Sequence, residues 1–131
     1  MKRTFFKSIL AVAVVVFTTS AMPGDGPITK EGRSTVINTS TLAKSVEGYN
    51  GATPLKIYIE KNKIVKIEAL DNQETPKYFN RVKKNLLGKW NGMTVSKALK
   101  AKIDGVSGAT YSSDAVIKNV RKGLQYYKTK K

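Results

Sequence analysis

The sequence predicts an α+β fold in which a small antiparallel β-sheet packs against two main α-helices. Three observations support this class. Apolar and polar residues alternate in two short segments after residue 54, which is the pattern of half-buried strands. A tight turn separates these segments, and in two later segments the apolar residues recur at the spacing of one helix face.

The two alternating segments predict a β-hairpin. Leu55 to Glu60 is the first strand, Lys61 to Lys63 is the turn, and Ile64 to Leu70 is the second strand. Within the turn, Asn62 can adopt the positive φ that tight hairpin turns require. One face of the second strand is expected to carry Val65, Ile67 and Ala69.

The first main helix is predicted to have Thr75 as its N-cap and Pro76 at its first helical position. Gly88 is expected to end it, and a short helix is expected from Thr94 to Leu99. The apolar face of the first helix is expected to comprise Tyr78, Phe79, Val82, Leu86 and Leu87.

The second main helix is predicted to follow a loop over Asp104 to Thr110. Either Ser112 or Ser113 would be its N-cap, since a serine hydroxyl can accept a hydrogen bond from the first free N–H groups. The helix is expected to run to about Tyr127 and to present one apolar face to the core.

The first 21 residues have the layout of a signal peptide. Three cations at positions 2, 3 and 7 precede an apolar run from Ile9 to Phe17, and small residues follow at 19–21. This run is short for a membrane span, although an uncleaved N-terminal anchor is the alternative. Since no cysteine is present, lipid attachment is excluded. Cleavage after Ala21 would export the chain to the periplasm or cell envelope.

The rest of the chain divides into a leader or linker over residues 22–45 and one folded domain over residues 46–131. Gly, Pro and charged residues dominate the leader as far as Arg33. The segment Ser34 to Asn38 is either a short strand or continued linker. The domain is large enough for a single modest core.

The composition excludes several classes of enzyme. The chain has no cysteine and no histidine. It therefore cannot build a thiolate or imidazole metal site or a Ser–His or Cys–His nucleophile pair. Any redox chemistry must come from a bound cofactor.

The charge is strongly positive, with 24 Lys and Arg against 9 Asp and Glu, a net +15. Removal of the signal peptide takes away three cations and no acid, which leaves +12. Export argues against nucleic acid as the partner. The alternatives left open are an anionic lipid surface and an acidic protein.

The segment Asp104 to Ser113 carries the most specific chemistry. In it the hydroxyl of Thr110 follows Gly108 and Ala109, which have almost no side chain, so a bulky group can approach it. The helix predicted directly beyond offers free N–H groups and a partial positive charge, which suit a phosphate. Local chemistry alone favours the plainer alternative, a tight loop with a Ser/Thr capping box.

From Val46 to Tyr127 the chain resembles FMN-binding domain proteins, which include the periplasmic flavin subunits of sodium-translocating NADH:quinone reductase and related complexes. In that family a separate flavin transferase attaches FMN through a phosphoester bond to the last Thr of the motif. The resemblance rests on four ordered segments: the Gly48-Tyr49-x-Gly51 turn, the hairpin, Glu74-Thr75-Pro76, and Asp-x-x-Ser-Gly-Ala-Thr-x-Ser-Ser over residues 104–113.

The resemblance implies a role for each motif residue. Thr110 matches the attachment position. Ser107, Gly108 and Ala109 match the segment that surrounds the phosphoryl group and admits the transferase. Asp104 would hold the loop through backbone N–H groups or position a metal during transfer. An ordinary turn residue is the alternative for this aspartate.

Other residues have a possible flavin role beside a structural one. Ser112 and Ser113 would donate to the phosphate or cap the helix. Thr75 or nearby N–H groups would bind the flavin edge, and Glu74 would accept from the ring N–H or the ribityl hydroxyls. Lys77 stands where the family often has glycine, which puts this contact in question. Two tyrosines are candidates to pack on the ring or to belong to the core: Tyr49 and Tyr78.

The resemblance therefore implies an exported flavoprotein with covalent FMN on Thr110. We expect a redox shuttle or a subunit of a membrane-associated electron-transfer system, rather than a self-sufficient enzyme. Its expected partners are a flavin transferase and a redox protein, and no nucleic acid. The alternative is a basic extracytoplasmic binding module that keeps the fold without flavin.

Overall fold

The computed structural model describes residues 26–48 and 50–130. Their elements are, in order, β1 Ile28–Glu31, β2 Ser34–Asn38, β3 Leu55–Glu60, β4 Lys63–Ala69, α1 Pro76–Asn85, a 3₁₀ helix Leu87–Trp90, α2 Val95–Lys100 and α3 Thr110–Lys130. The predicted α+β class is confirmed. The predicted signal peptide and Tyr49 lie outside the described residues.

The four strands form one antiparallel sheet in the order β1-β2-β3-β4. Two of them lie in the segment predicted as a leader or linker. That prediction is wrong for β1 at Ile28–Glu31, whereas β2 confirms the short strand that was one of the two alternatives for Ser34–Asn38. The physical reason is burial: Val36 and Ile37 are fully buried, and Ile37 is paired with Ile57 of β3. The fold therefore begins well before residue 46.

The hairpin of β3 and β4 is confirmed, with one difference in register. Its turn is Lys61-Asn62, and both residues have a positive φ, of 49° and 67°. A bulge then shifts the pairing, so that Ile64 and Ile67 are the buried residues of β4. Val65, predicted to share a face with Ile67, is 43% exposed because the bulge interrupts the alternation.

The helices pack on one face of the sheet around a single core. The predicted start of α1 at Pro76 and the short helix after Thr94 are confirmed. Tyr78 is 43% exposed and lies outside the core to which the helical pattern assigned it. Gly88 lies inside the 3₁₀ helix rather than at the end of α1. Within the described residues no helix is long and apolar enough to cross a membrane.

The long helix α3 comes closest to the sheet at Gly123. A Cβ on this residue would lie 2.7 Å from Cδ1 of Ile57 and 3.1 Å from Cγ2 of Thr39. Glycine is therefore what lets the helix backbone approach β3 at this point. α3 contacts both central strands, β2 and β3.

A buried polar cluster fixes the position of α3 along the sheet. Asn119, 1% exposed, accepts from the hydroxyl of Thr39 at 2.5 Å and donates to Oγ1 of Thr53 at 3.3 Å and to the carbonyl of Ala115 at 2.9 Å. Thr39 Oγ1 in turn accepts from the N–H of Leu55 at 2.9 Å. Because buried polar groups are costly without partners, this cluster specifies one register of helix on sheet.

The other face of the sheet carries paired charges. The hydroxyl of Tyr58 donates to Glu68 at 3.0 Å, and Lys66 donates to the same carboxylate at 3.1 Å. Lys56 lies 3.7 Å from Glu31. Burial and the bond to Glu68 raise the pKa of Tyr58 to about 12, whereas the bonds from Lys66 and Tyr58 lower the pKa of Glu68.

The two faces of β3 should respond differently to the same substitution. Ile57→Asn should lower the free energy of unfolding by about 3–5 kcal/mol, because it removes buried aliphatic surface and buries an amide. Lys56→Asn, on the other face, should cost less than about 1 kcal/mol, since an exposed ion pair contributes little. Urea unfolding measures both. Equal losses would mean that the faces are assigned the wrong way round.

Candidate functional site

The loop that leads into α3 is shaped by a glycine. Gly108 has a φ of 82°, which other residues rarely adopt. A Cβ at this position would also lie only 2.8 Å from Nη1 of Arg81 on α1. The backbone conformation therefore requires glycine here, and a side chain would also displace the Arg81 guanidinium.

Two cations and one serine hold the motif loop in place. Nη1 of Arg81 donates to the carbonyl of Ser107 at 3.2 Å, and Nζ of Lys89 donates to the carbonyl of Asp104 at 3.4 Å. From the α3 side, the hydroxyl oxygen of Ser113 accepts from the N–H of Val106 at 2.9 Å. The loop is thus fixed between the first and last helices.

Thr110 is the first residue of α3, and it is exposed. It lines an open cleft of about 270 Å³. The other lining residues are Tyr78, Gly108, Ala109, Tyr111 and Ser112. The first turn of a helix presents N–H groups and the positive end of the helix dipole, so this end of the cleft suits an anion.

Two partly exposed aromatic rings line the cleft. Tyr78 is 43% exposed and Tyr111 is 69% exposed. Tyr78 was a predicted candidate for flavin packing, whereas Tyr111 was missed. Its position directly after the motif threonine was the available signal, because the residue after the first helical position lies beside the same helix end.

Glu74 is a buried carboxylate, 5% exposed, that joins three segments. One of its oxygens accepts a hydrogen bond from the hydroxyl of Ser112, in the first turn of α3. The other accepts from the N–H of Asn50 at 2.5 Å. A Cβ on Gly48 would collide with the first oxygen. Glu74 therefore connects the 48–51 turn and the start of α1 to the beginning of α3.

Both predicted serine caps are wrong. The helix begins at Thr110, three or four residues earlier than a cap at Ser112 or Ser113 predicts, so both serines lie within its first turn and are buried. Ala109 precedes the helix, and its carbonyl accepts from the N–H of Ser113 at 2.9 Å. The hydroxyl of Ser112 donates to Glu74 instead of to a group in the cleft.

The remaining predicted site residues lie around this arrangement. Thr75 precedes α1 as predicted, but it makes no side-chain cap; its hydroxyl oxygen accepts from Nδ2 of Asn50 at 3.1 Å. Asp104 is exposed at the start of the loop. Within the described residues, no three acidic, histidine or cysteine side chains are grouped to hold a metal ion.

Residues 48–125 match the FMN-binding domain family. This span is more than half of the chain and runs from the Gly48 turn almost to the end of α3. The chain belongs to the FMN-binding domain family. No individual curated protein is similar enough to the chain to count as a match.

As an FMN-binding domain, the chain is a flavin-binding protein, and the predicted resemblance is confirmed at the level of the family. The matched span contains the motif loop, the cleft and all three segments that Glu74 joins. Strands β1 and β2 lie before it.

The fit between Gly48 and Glu74 can be tested with a double-mutant cycle. Gly48→Ala should cost about 1–3 kcal/mol of unfolding free energy, because the new Cβ overlaps the Glu74 carboxylate. In a Glu74→Ala background the same change should cost at least about 0.5 kcal/mol less. Urea unfolding of the four proteins measures the difference.

Gly88→Ala is the matched control, since the nearest atom to a Cβ there is Nδ2 of Asn91 at 3.9 Å. It should change stability little in either background. Strictly additive costs for Gly48 and Glu74 would contradict the contact between them.

Proposed function

We propose that this protein is an exported flavoprotein that carries FMN on Thr110 through a phosphoester bond. In this proposal it passes electrons as a shuttle or as a subunit of a membrane-associated electron-transfer system. Its partners are a flavin transferase and a redox protein. The supporting observation is the position of Thr110: an exposed hydroxyl on the first residue of α3, in an open cleft.

The residues around Thr110 fit a phosphoester. Gly108 carries no side chain, and Ala109 is buried at 6% exposure, so neither obstructs the hydroxyl. Arg81 is bonded to the carbonyl of Ser107 and brings a positive charge to the loop. The N-terminus of α3 adds its N–H groups and dipole. These features favour a negatively charged group at this hydroxyl.

The size of the cleft favours covalent attachment. At about 270 Å³ and open to solvent, it lies at the low end of the range of small-molecule pockets. A bond to Oγ would keep the flavin in place where burial alone would not. Outside the cytoplasm, a flavin that dissociated would be lost.

The protein's own contribution to electron transfer is placement. Bound FMN supplies one- and two-electron chemistry. Tyr78 and Tyr111 offer aromatic surface beside the attachment point. Glu74 and Ser112 hold the first turn of α3 in a fixed relation to the 48–51 turn. No residue of this chain needs to exchange a proton with a substrate in this function.

Thr110 is the decisive residue for the proposal. When the protein is co-expressed with an active flavin transferase, its intact mass should rise by FMN less one water, and the peptide with Thr110 should carry the addition. Thr110→Ala removes the esterified oxygen and should abolish covalent flavin completely. Thr110→Ser keeps a hydroxyl at this position and should retain part of the covalent flavin. Mass spectrometry of protein and peptides measures each outcome.

Ser107→Ala is the control, because this residue belongs to the loop and not to the proposed bond. It should reduce flavin loading less than Thr110→Ala does, and circular dichroism should show that every variant folds. Flavin that persists in Thr110→Ala, or maps to Ser112 or Ser113, would contradict the site. A wild-type chain that stays free of flavin beside a working transferase would favour the basic binding module.

Export can be tested separately from flavin. Because positions 2–21 have the three-part layout of a signal peptide, the mature protein should begin at or near Met22 and fractionate outside the cytoplasm. N-terminal sequencing after cell fractionation measures this. Recovery of intact Met1 protein from the soluble cytoplasm would contradict export and reopen nucleic acid as a partner.

A further inference from the structure

The positive charge of the chain is concentrated in its helical part. Residues 26–74 contain seven Lys and Arg and six Asp and Glu. Residues 75–131 contain fourteen Lys and Arg and two Asp and Glu. The remaining three cations and one acid lie in residues 1–25, which completes the totals of 24 and 9. The sheet part is thus close to neutral, and the helical part accounts for a net +12.

The fold turns this difference along the chain into two different surfaces. The helices lie on one face of the sheet. On the opposite face, Lys56 and Lys66 have carboxylate neighbours, at 3.7 Å and 3.1 Å respectively. Within residues 75–131 only Asp104 and Asp114 are available to balance the cations, and Asp114 is paired with Lys118. Glu74, just before α1, is bonded to Ser112 and Asn50.

Three cations form a row on α1 next to the cleft. Lys77, Arg81 and Lys84 are all exposed and stand at positions i, i+4 and i+7, so they share one side of the helix. We call this row the basic stripe. The stripe borders the site directly. Arg81 donates a hydrogen bond to the carbonyl of Ser107 in the motif loop. Lys77 is adjacent in sequence to Tyr78, which lines the cleft.

Lys84 is in the last turn of α1, where the helix dipole favours a cation, but the rest of the basic stripe does not help this helix to fold. Like charges at this spacing repel one another. Lys77 also stands in the first turn, where the helix dipole disfavours a cation, and that turn contains no acidic residue. A partner with negative charge would offset this repulsion, so the stripe is better explained by binding than by stability.

We propose that the basic stripe is the docking surface for an acidic electron-transfer protein. The proposal rests on the proposed function, since it supplies the redox partner of the flavin on Thr110. Opposite charge would steer the partner to the stripe, and docking there brings it against the cleft. FMN held on Thr110 would then supply the electron exchange with the partner's redox centre, one group being oxidised as the other is reduced.

A protein fits this surface better than a lipid bilayer. Helices that bind membranes combine basic residues with a large apolar face that enters the bilayer. Among the described residues the large exposed apolar side chains are Val65, Tyr78 and Tyr111. Both tyrosines line the cleft, and Val65 belongs to β4. The apolar surface beside the stripe is therefore limited to these two tyrosine rings, which is less than the large apolar face of a membrane-binding helix.

The experiment uses an acidic [2Fe–2S] ferredoxin as the probe. Titration of the ¹⁵N-labelled whole protein, with and without FMN, should shift amide signals along α1 and at residues 107–111. The dissociation constant should rise about tenfold or more between low salt and 0.3 M NaCl, because salt screens the attraction between opposite charges. Lys77→Gln combined with Lys84→Gln should weaken binding at low salt about fivefold or more.

The matched control combines Lys61→Gln with Lys66→Gln, in the β3–β4 turn and on the opposite face of the sheet. It removes the same net charge and should weaken binding less than about twofold. Equal losses in the two double variants, or signal shifts on the sheet face, would overturn the docking surface. Stronger stripe-dependent binding to phosphatidylglycerol vesicles than to ferredoxin would overturn it in favour of a membrane.

Binding without FMN separates this proposal from the proposed function. A chain that binds ferredoxin through the stripe but is never flavinylated would support the docking surface and contradict the flavin function. A chain that is flavinylated on Thr110 but does not bind ferredoxin would support the flavin function and contradict the docking surface.

Discussion

The seating of α3 on the sheet is the constraint on which the rest of the structure depends. At Gly123 the helix backbone comes close enough that a single added carbon would meet Ile57. One turn earlier, Asn119 is bonded to two threonines outside the helix. These contacts allow α3 only a single placement along the strands. That placement determines where its first residue, Thr110, lies. The cleft is therefore a consequence of core packing.

The hairpin and the helices could be predicted from their apolar periodicity, which agrees with the turn residue Asn62 and with the helix-start residues Pro76 and Thr94. Strand β1 could not, since Gly and charged residues surround it. Strand β2 could be given only as an alternative to linker, because its pairing depends on β3, far along the chain. The exposure of Val65 follows from a bulge, which period-two counting does not detect. Both differences between prediction and structure arise from the way strands pair with one another, which the local sequence does not determine.

The candidate site was predictable in its loop and less so in its supports. Gly108 and Thr110 could be located from the motif. The inward orientation of Glu74 could not be predicted. Glu74 and Ser112 are 38 positions apart, and nothing in the local sequence indicates that they form a hydrogen bond. Likewise, a serine near a helix start suggests a cap. Here Ser113 instead receives the N–H of Val106, which only the folded loop brings to it.

The length of α3 sets a distance within the molecule. It has 21 residues, which at 1.5 Å per residue makes a rod of about 30 Å. Thr110 is at one end, and the basic residues Lys128 and Lys130 are at the other. A tether or surface that holds the C-terminal end thus leaves the cleft about 30 Å away and accessible. Since α3 packs on β2 and β3, this separation between its two ends is built into the domain.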